Sequence, residues 1–204
     1  MNSFMIFQLE LESGEWQTFP LDVQWTQTEW RKDGKGFYYF VPGVNGLSPG
    51  GAGIVEKDVK TDDKRYIYHA DVGANSFFWP LALRCSRDYT KMAFCEMVGK
   101  KIEVINIQSG EKLNEFPRVN ESLSHPAWSP DGTSIMVNGG KGTALHVLSL
   151  AEGSRKEYDL SKNLPEGEIR SFDWSPDGCQ VAFCFRFSQF DTYLIRDVIP
   201  ETKR

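Results

Sequence analysis

Short apolar or alternating runs, each closed by a polar turn, succeed one another from end to end of the chain. Four of them follow a turn centred on aspartate. Phe37-Tyr38-Tyr39-Phe40 follows Trp30-Arg31-Lys32-Asp33-Gly34, and Met92-Ala93-Phe94-Cys95 follows Cys85-Ser86-Arg87-Asp88-Tyr89. Residues 134–137 and 181–185 follow two nearly identical segments, Pro126-Ala127-Trp128-Ser129-Pro130-Asp131-Gly132 and Phe172-Asp173-Trp174-Ser175-Pro176-Asp177-Gly178. Apolar runs of this length between turn residues predict strands rather than helices. In the turn itself, Pro sets φ for the first position, Asp binds the backbone ahead of it, and Gly accepts a positive φ.

Downstream of each pair of strands the pattern predicts a third strand, a polar turn and a short fourth strand. Residues 101–107, Gln108-Ser109-Gly110-Glu111 and 112–116 follow this order, and so do 144–149, Ala151-Glu152-Gly153-Ser154 and 156–160. At the N-terminus the second half of the unit stands alone as 4–11, Glu12-Ser13-Gly14-Glu15 and 16–19. The marker aspartates are spaced by 55, 43 and 46 residues, the period of four-stranded propeller blades. The longest spacing contains residues 42–63, rich in Gly, Pro and Asn, which are expected to form an inserted loop between second and third strands.

The Trp-Ser-Pro-Asp-Gly turn, the apolar strand after it and the later Ser-Gly-Glu type turn resemble the repeats of TolB-like β-propellers. The same repeat occurs in the propeller domains of prolyl oligopeptidase and dipeptidyl peptidase relatives. The resemblance covers essentially the whole chain, with two strong and two weak copies of the turn. It implies an all-β propeller of four-stranded antiparallel blades. The expected division is a partial blade at 1–20, blades at about 21–78, 79–117 and 118–162, a partial blade at 163–199 and a tail at 200–204. The two partial blades hold five strands, one more than a shared blade needs. A C-terminal portion of a propeller of about six or more blades, with further blades or a fused domain upstream, is therefore expected.

Composition narrows the function classes. With 23 basic and 28 acidic residues interspersed and a net charge of −5, the chain offers no basic face for nucleic acid. No apolar run reaches the roughly 20 residues of a membrane-spanning helix, and the N-terminus lacks the basic region of a signal peptide. Cytoplasmic residence fits the sequence as it stands, and a periplasmic one would fit a longer chain, so the compartment stays open. The four cysteines and three histidines show no ligand spacing, so neither metal nor other cofactor is expected. Cys95 and Cys184, at equivalent points of two repeats, are expected to be buried strand thiols. The charged stretch 56–65 is expected to be a solvated loop.

Catalytic candidates are few. Gly46-Leu47-Ser48-Pro49-Gly50 fits the nucleophile-elbow pattern. Pro49, however, has no N–H to offer an oxyanion, and a glycine-rich segment follows where a helix is needed. The turn residues Asp33, Gly34, Asp88, Asp131, Gly132, Asp177 and Gly178 are expected to hold their hairpins. Trp128 and Trp174 are expected to pack between blades. Arg84, Arg170, Arg186, Glu96 and Asp173 are loose candidates for a propeller-enzyme site. With no credible catalytic set, a non-enzymatic module presenting its loops to a protein or peptide is the expected function. The alternative is the gating propeller of a serine peptidase whose hydrolase domain lies outside this chain. Binding residues concentrate on loops carried by a rigid scaffold, which singles out Phe77, Phe78, Trp79, Glu121, Lys141, Arg186, Phe187 and Phe190.

Overall fold

The computed structural model describes residues 4–21, 27–41, 43–44, 51–70, 77–78, 80–96, 101–117, 125–139, 142–187 and 190–196. Every regular element among them is a β-strand. Contacts divide the chain into two units, Met1–Pro80 and Leu81–Arg204.

The first unit opens with an antiparallel hairpin, β1 (Phe4–Leu9) and β2 (Trp16–Leu21), in which Leu9 stands opposite Trp16. Then come β3 (Thr28–Trp30), β4 (Gly36–Val41), β5 (Gly43–Val44), β6 (Ala52–Asp58), β7 (Lys64–Ala70) and β8 (Phe77–Phe78). A four-stranded sheet runs β3-β4-β6-β7, while β5 pairs separately with β8. The aromatics of β4 lie on both faces of the pleat, and Phe37 to Phe40 are all buried. Phe19 of the hairpin joins Phe37, Tyr39 and Val55 in one cluster. The Phe19 and Phe37 rings meet edge to face, with centroids 5.8 Å apart.

The second unit holds β9 (Pro80–Cys85), β10 (Lys91–Glu96), β11 (Lys101–Asn106), β12 (Lys112–Pro117), β13 (Ala127–Trp128), β14 (Ser134–Gly139), β15 (Ala144–Ser149), β16 (Arg155–Asp159), β17 (Glu168–Trp174), β18 (Gln180–Arg186) and β19 (Phe190–Arg196). They form antiparallel sheets β9-β10-β11-β12, β13-β14-β15-β16 and β17-β18-β19. Successive sheets cover one another face to face. Ala93, Cys95, Ile102, Val104 and Phe116 of the first meet Ile135, Val137 and Leu148 of the second. Met136 and Leu145 of the second meet Ile169, Trp174, Val181, Phe183 and Phe185 of the third. The period-two alternation of β14 thus sends Ile135 and Val137 to one neighbour and Met136 to the other.

Each aspartate turn joins the first strand of its sheet to the second. Ser86 N–H donates to Lys91 O at 2.9 Å, Ser129 N–H to Ser134 O at 3.0 Å, Ser175 N–H to Gln180 O at 2.8 Å, and Arg31 N–H to Gly36 O at 2.9 Å. Gly34, Gly132 and Gly178 take positive φ in these turns, and Tyr89 takes the equivalent place with φ 60°. A left-handed tyrosine carries a steric cost that glycine avoids.

Three expectations are corrected. Residues 52–58 are the third strand of their sheet, not part of a loop, and Ile54, Val55 and Lys57 are buried there. Gly53 had suggested a loop. It is needed because a Cβ would lie 1.9 Å from Tyr68 O on the neighbouring strand. The charged stretch 56–65 is accordingly strand and turn, with Lys57 Nζ donating to Asp62 Oδ1. Cys95 is buried but Cys184 is exposed, because the sheet β17-β18-β19 is covered on only one face of β18: Val181, Phe183 and Phe185 are buried, whereas Ala182, Cys184 and Arg186 are not.

Candidate functional site

The aspartates of the turns are occupied by their own backbone. Ser86 Oγ–H donates to Asp88 Oδ1 at 2.6 Å, Thr90 N–H to the same oxygen at 3.0 Å, and Thr90 Oγ1–H to Oδ2 at 2.8 Å. The Ser86 bond, then that of the Thr90 amide, holds the Asp88 carboxyl down at about 2. Asp131 repeats the pattern with Ser129 and Thr133, and Asp177 repeats it with Ser175 and the Cys179 amide. Asp33 accepts the Lys35 N–H at 3.0 Å and pairs with Arg31. These carboxylates sit at one equivalent position of separate sheets, engaged in holding turns.

Tryptophan links the first strands. Trp128 Nε1–H donates to Arg84 O at 2.9 Å, and Trp174 Nε1–H donates to Ala127 O at 3.1 Å. Both indoles therefore serve packing between neighbouring sheets. His146, on β15, is also buried, and neither ring nitrogen has a hydrogen-bond partner among the described residues. Burial holds its imidazole below the usual histidine range.

Three charged side chains converge at one end of the sheet β17-β18-β19. Glu168, the first residue of β17, stands directly across from Arg186, the last residue of β18. Arg170 Nη2 and Arg186 Nη2 each lie 2.6 Å from the same oxygen, Oε1 of Glu168. Both arginine side chains stay about half exposed, leaving guanidinium donors turned toward solvent. The backbone beneath is fixed to the preceding sheet: Ile169 N–H donates to Gly142 O at 2.6 Å, and Asn138 Nδ2–H donates to Ile169 O at 3.1 Å. Gly142 has φ 84°, and a Cβ there would lie 2.8 Å from the Cβ of Glu168. Phe187 continues the same strand end, half-buried, its ring 5.9 Å from that of Phe185.

Of the residues singled out from sequence, Arg186 and Phe187 adjoin here, and Phe190 begins β19 in register with Arg186. Phe77 and Phe78 form β8 in the other unit. Trp79, Glu121, Lys141, Ser48 and Pro49 lie outside the described residues. Arg84 and Asp173 lie on β9 and β17, and Glu96 ends β10. Glu168 and Gly142, which end the expected loop-face segments 163–168 and 139–142, are not among the individual residues singled out from sequence. Glu168-Ile169-Arg170 nevertheless carried a signal, because charges two apart bracketing one apolar residue share a strand face. Among the described residues no group of three or more His, Cys, Asp or Glu could hold a metal ion. No helix among them is long and apolar enough to cross a membrane.

No family model and no curated protein matches the chain. Solved structures do. TolB from Acinetobacter baumannii matches with a TM-score of 0.64 at 13% identity, over 95% of this chain and 46% of that one. The Cps50 (Swd1) β-propeller domain from Myceliophteria thermophila matches with a TM-score of 0.62 at 13% identity, over 86% of this chain and 53% of that one. The chain thus spans about half the length of the structures it matches. The fold is that of a β-propeller of the TolB-like and WD40 type, with antiparallel four-stranded sheets as blades.

Proposed function

We propose that the chain is a non-catalytic binding or assembly module that receives a protein or peptide at the loop end of its blades. The observation carrying this reading is the Arg170–Glu168–Arg186 cluster. Two half-exposed guanidiniums converge on one carboxylate oxygen, above backbone pinned to the preceding blade. Planar guanidiniums recognise carboxylates through paired donors. The turn carboxylates support the non-catalytic half of the proposal, since their oxygens are taken by neighbouring hydroxyl and amide donors.

Peptide-display selection on the intact chain tests this, with counter-selection on an Arg170→Glu/Arg186→Glu variant. Enriched peptides are expected to carry Asp or Glu and to bind the variant at least about tenfold more weakly, the effect of losing one charge-assisted contact. Peptides that bind wild type and variant equally, or a selection that enriches none, would remove the basis for this site.

A further inference from the structure

The third strands of two adjacent sheets carry a polar residue at one equivalent place. Phe94 and Val137 each stand six residues past their marker aspartate, and across from them lie Glu103 on β11 and His146 on β15. Both side chains are buried, at 2% and 1% exposed. Each has a carboxylate opposite it on the fourth strand, Glu115 for Glu103 and Glu157 for His146. In the first of these sheets a cation completes the group: Lys101 Nζ lies 2.6 Å from Glu103 Oε1 and 3.3 Å from Glu115 Oε2. In the second, Ala144 takes the place of Lys101. His146 Nδ1 is 3.9 Å from Glu157 Oε2, beyond hydrogen-bond reach, and among the described residues neither ring nitrogen has a hydrogen-bond partner.

The surroundings favour the neutral ring. Leu148, two residues along on the same face, packs on Ile102 and Phe116 of the preceding sheet. The charged groups on this face come from β16, where Arg155, Glu157 and Asp159 stand opposite Leu148, His146 and Ala144. Asp159 accepts the Ser161 N–H at 2.9 Å. From β14 the ring meets Val137. The preceding sheet brings the buried Cys95 thiol to the shared layer, together with Asn114, whose amide donates to Leu150 O. Lys112, at the start of β12, is drawn to Glu115. Burial pushes the imidazole below its ordinary value of 6.5, Glu157 works against that and Arg155 adds to it. A proton would place a charge in a layer built for apolar contact. Glu157, its side chain 58% exposed on the outermost strand of the sheet, offers that charge a partner at the solvent margin.

We infer that His146 is an acid-operated latch: neutral, it seats β15 and β16 against the preceding sheet, and protonated, it turns out to pair with Glu157 and releases them. The proton supplies on demand the cation that Lys101 provides permanently one sheet earlier. A histidine whose folded value is lowered gives its full stabilisation above the ordinary 6.5, and that stabilisation is lost as pH falls below it. The other two histidines are exposed, His125 ahead of β13 and His69 on β7, so neither titrates inside a seam between sheets.

Hydrogen exchange read by mass spectrometry at pH 7.5 and pH 5.5, corrected for the intrinsic rate, tests this on wild type, His146→Leu and Glu157→Gln. Wild type is expected to exchange several-fold faster along β15 and β16 at the lower pH, with β18 unchanged. His146→Leu should abolish that difference. Glu157→Gln, which takes away the outer partner, should move the loss of protection to lower pH. An NMR titration of the wild-type imidazole keeps the test decisive if His146→Leu does not fold, because its midpoint should coincide with the loss of protection. Equal protection of β15 and β16 at both pH values would overturn the inference. So would a pH response that persists in His146→Leu, an equal loss over every strand, a Glu157→Gln profile identical to wild type, or an imidazole that titrates apart from the opening.

Discussion

Asp88 shows how much one turn residue carries. Its carboxylate gathers a hydroxyl and an amide from Thr90 and a hydroxyl from Ser86, which in turn accepts the Lys91 N–H at 3.0 Å. Replacing it with Ala removes the acceptor and leaves those donors to water, at a cost of about 1 kcal/mol. The acid dependence has a definite sign. The folded carboxyl titrates at about 2 against an ordinary value of 3.8, so its stabilisation is complete above the ordinary value. It is lost as pH falls through the folded one. Asp131 and Asp177 are displaced the same way. Urea titrations from pH 5 to pH 2 are therefore expected to show falling stability with a shallower slope in Asp88→Ala. Parallel slopes would mean that the turn does not hold the proton as described.

At the scale of the element, β6 is where glycine misleads. Residues 52–58 look like loop because Gly50, Gly51 and Gly53 crowd its start. Yet Gly53 sits opposite His69 in the β6–β7 ladder, close to the Tyr68 carbonyl. Gly53→Val is expected to destabilise the first unit by about 1–3 kcal/mol, in the range of overpacking, read as a lower urea midpoint. A midpoint within error of wild type would show that β7 yields freely. The strands that follow an aspartate turn were legible because their signal is local: turn chemistry and an apolar run adjoin in sequence. Two things were not legible. The fate of Cys184 depends on what covers a sheet face, which its own Ala-Phe-Cys neighbours do not encode, since the same triplet is buried at Cys95. The Arg170–Glu168–Arg186 cluster depends on register between β17 and β18, which a bulge between Ile169 and Ser171 shifts.

Across the second unit, blades are tied by a recurring pair of devices, a shared apolar layer and an indole bonded to the preceding first strand. Trp174 is 8% exposed and donates to Ala127 O. Trp174→Phe keeps most of the apolar area and strands that carbonyl, so a loss of about 1 kcal/mol is expected. Hydrogen exchange should show the weakening at β13 and β17 but not at β11. Uniform weakening over all three blades would point to global cooperativity instead. That contrast follows from the way the layers are arranged. Ala93 and Cys95 share a cluster with β14 and β15 residues, and Met136 shares one with β17 and β18 residues, but neither cluster unites all three sheets. Such a stack behaves as a one-dimensional chain of coupled units, each feeling only its neighbours. Pulled or heated from its outer sheet, it would come apart in steps, one blade at a time, so that the terminal sheet can loosen while the one two places away keeps its fold.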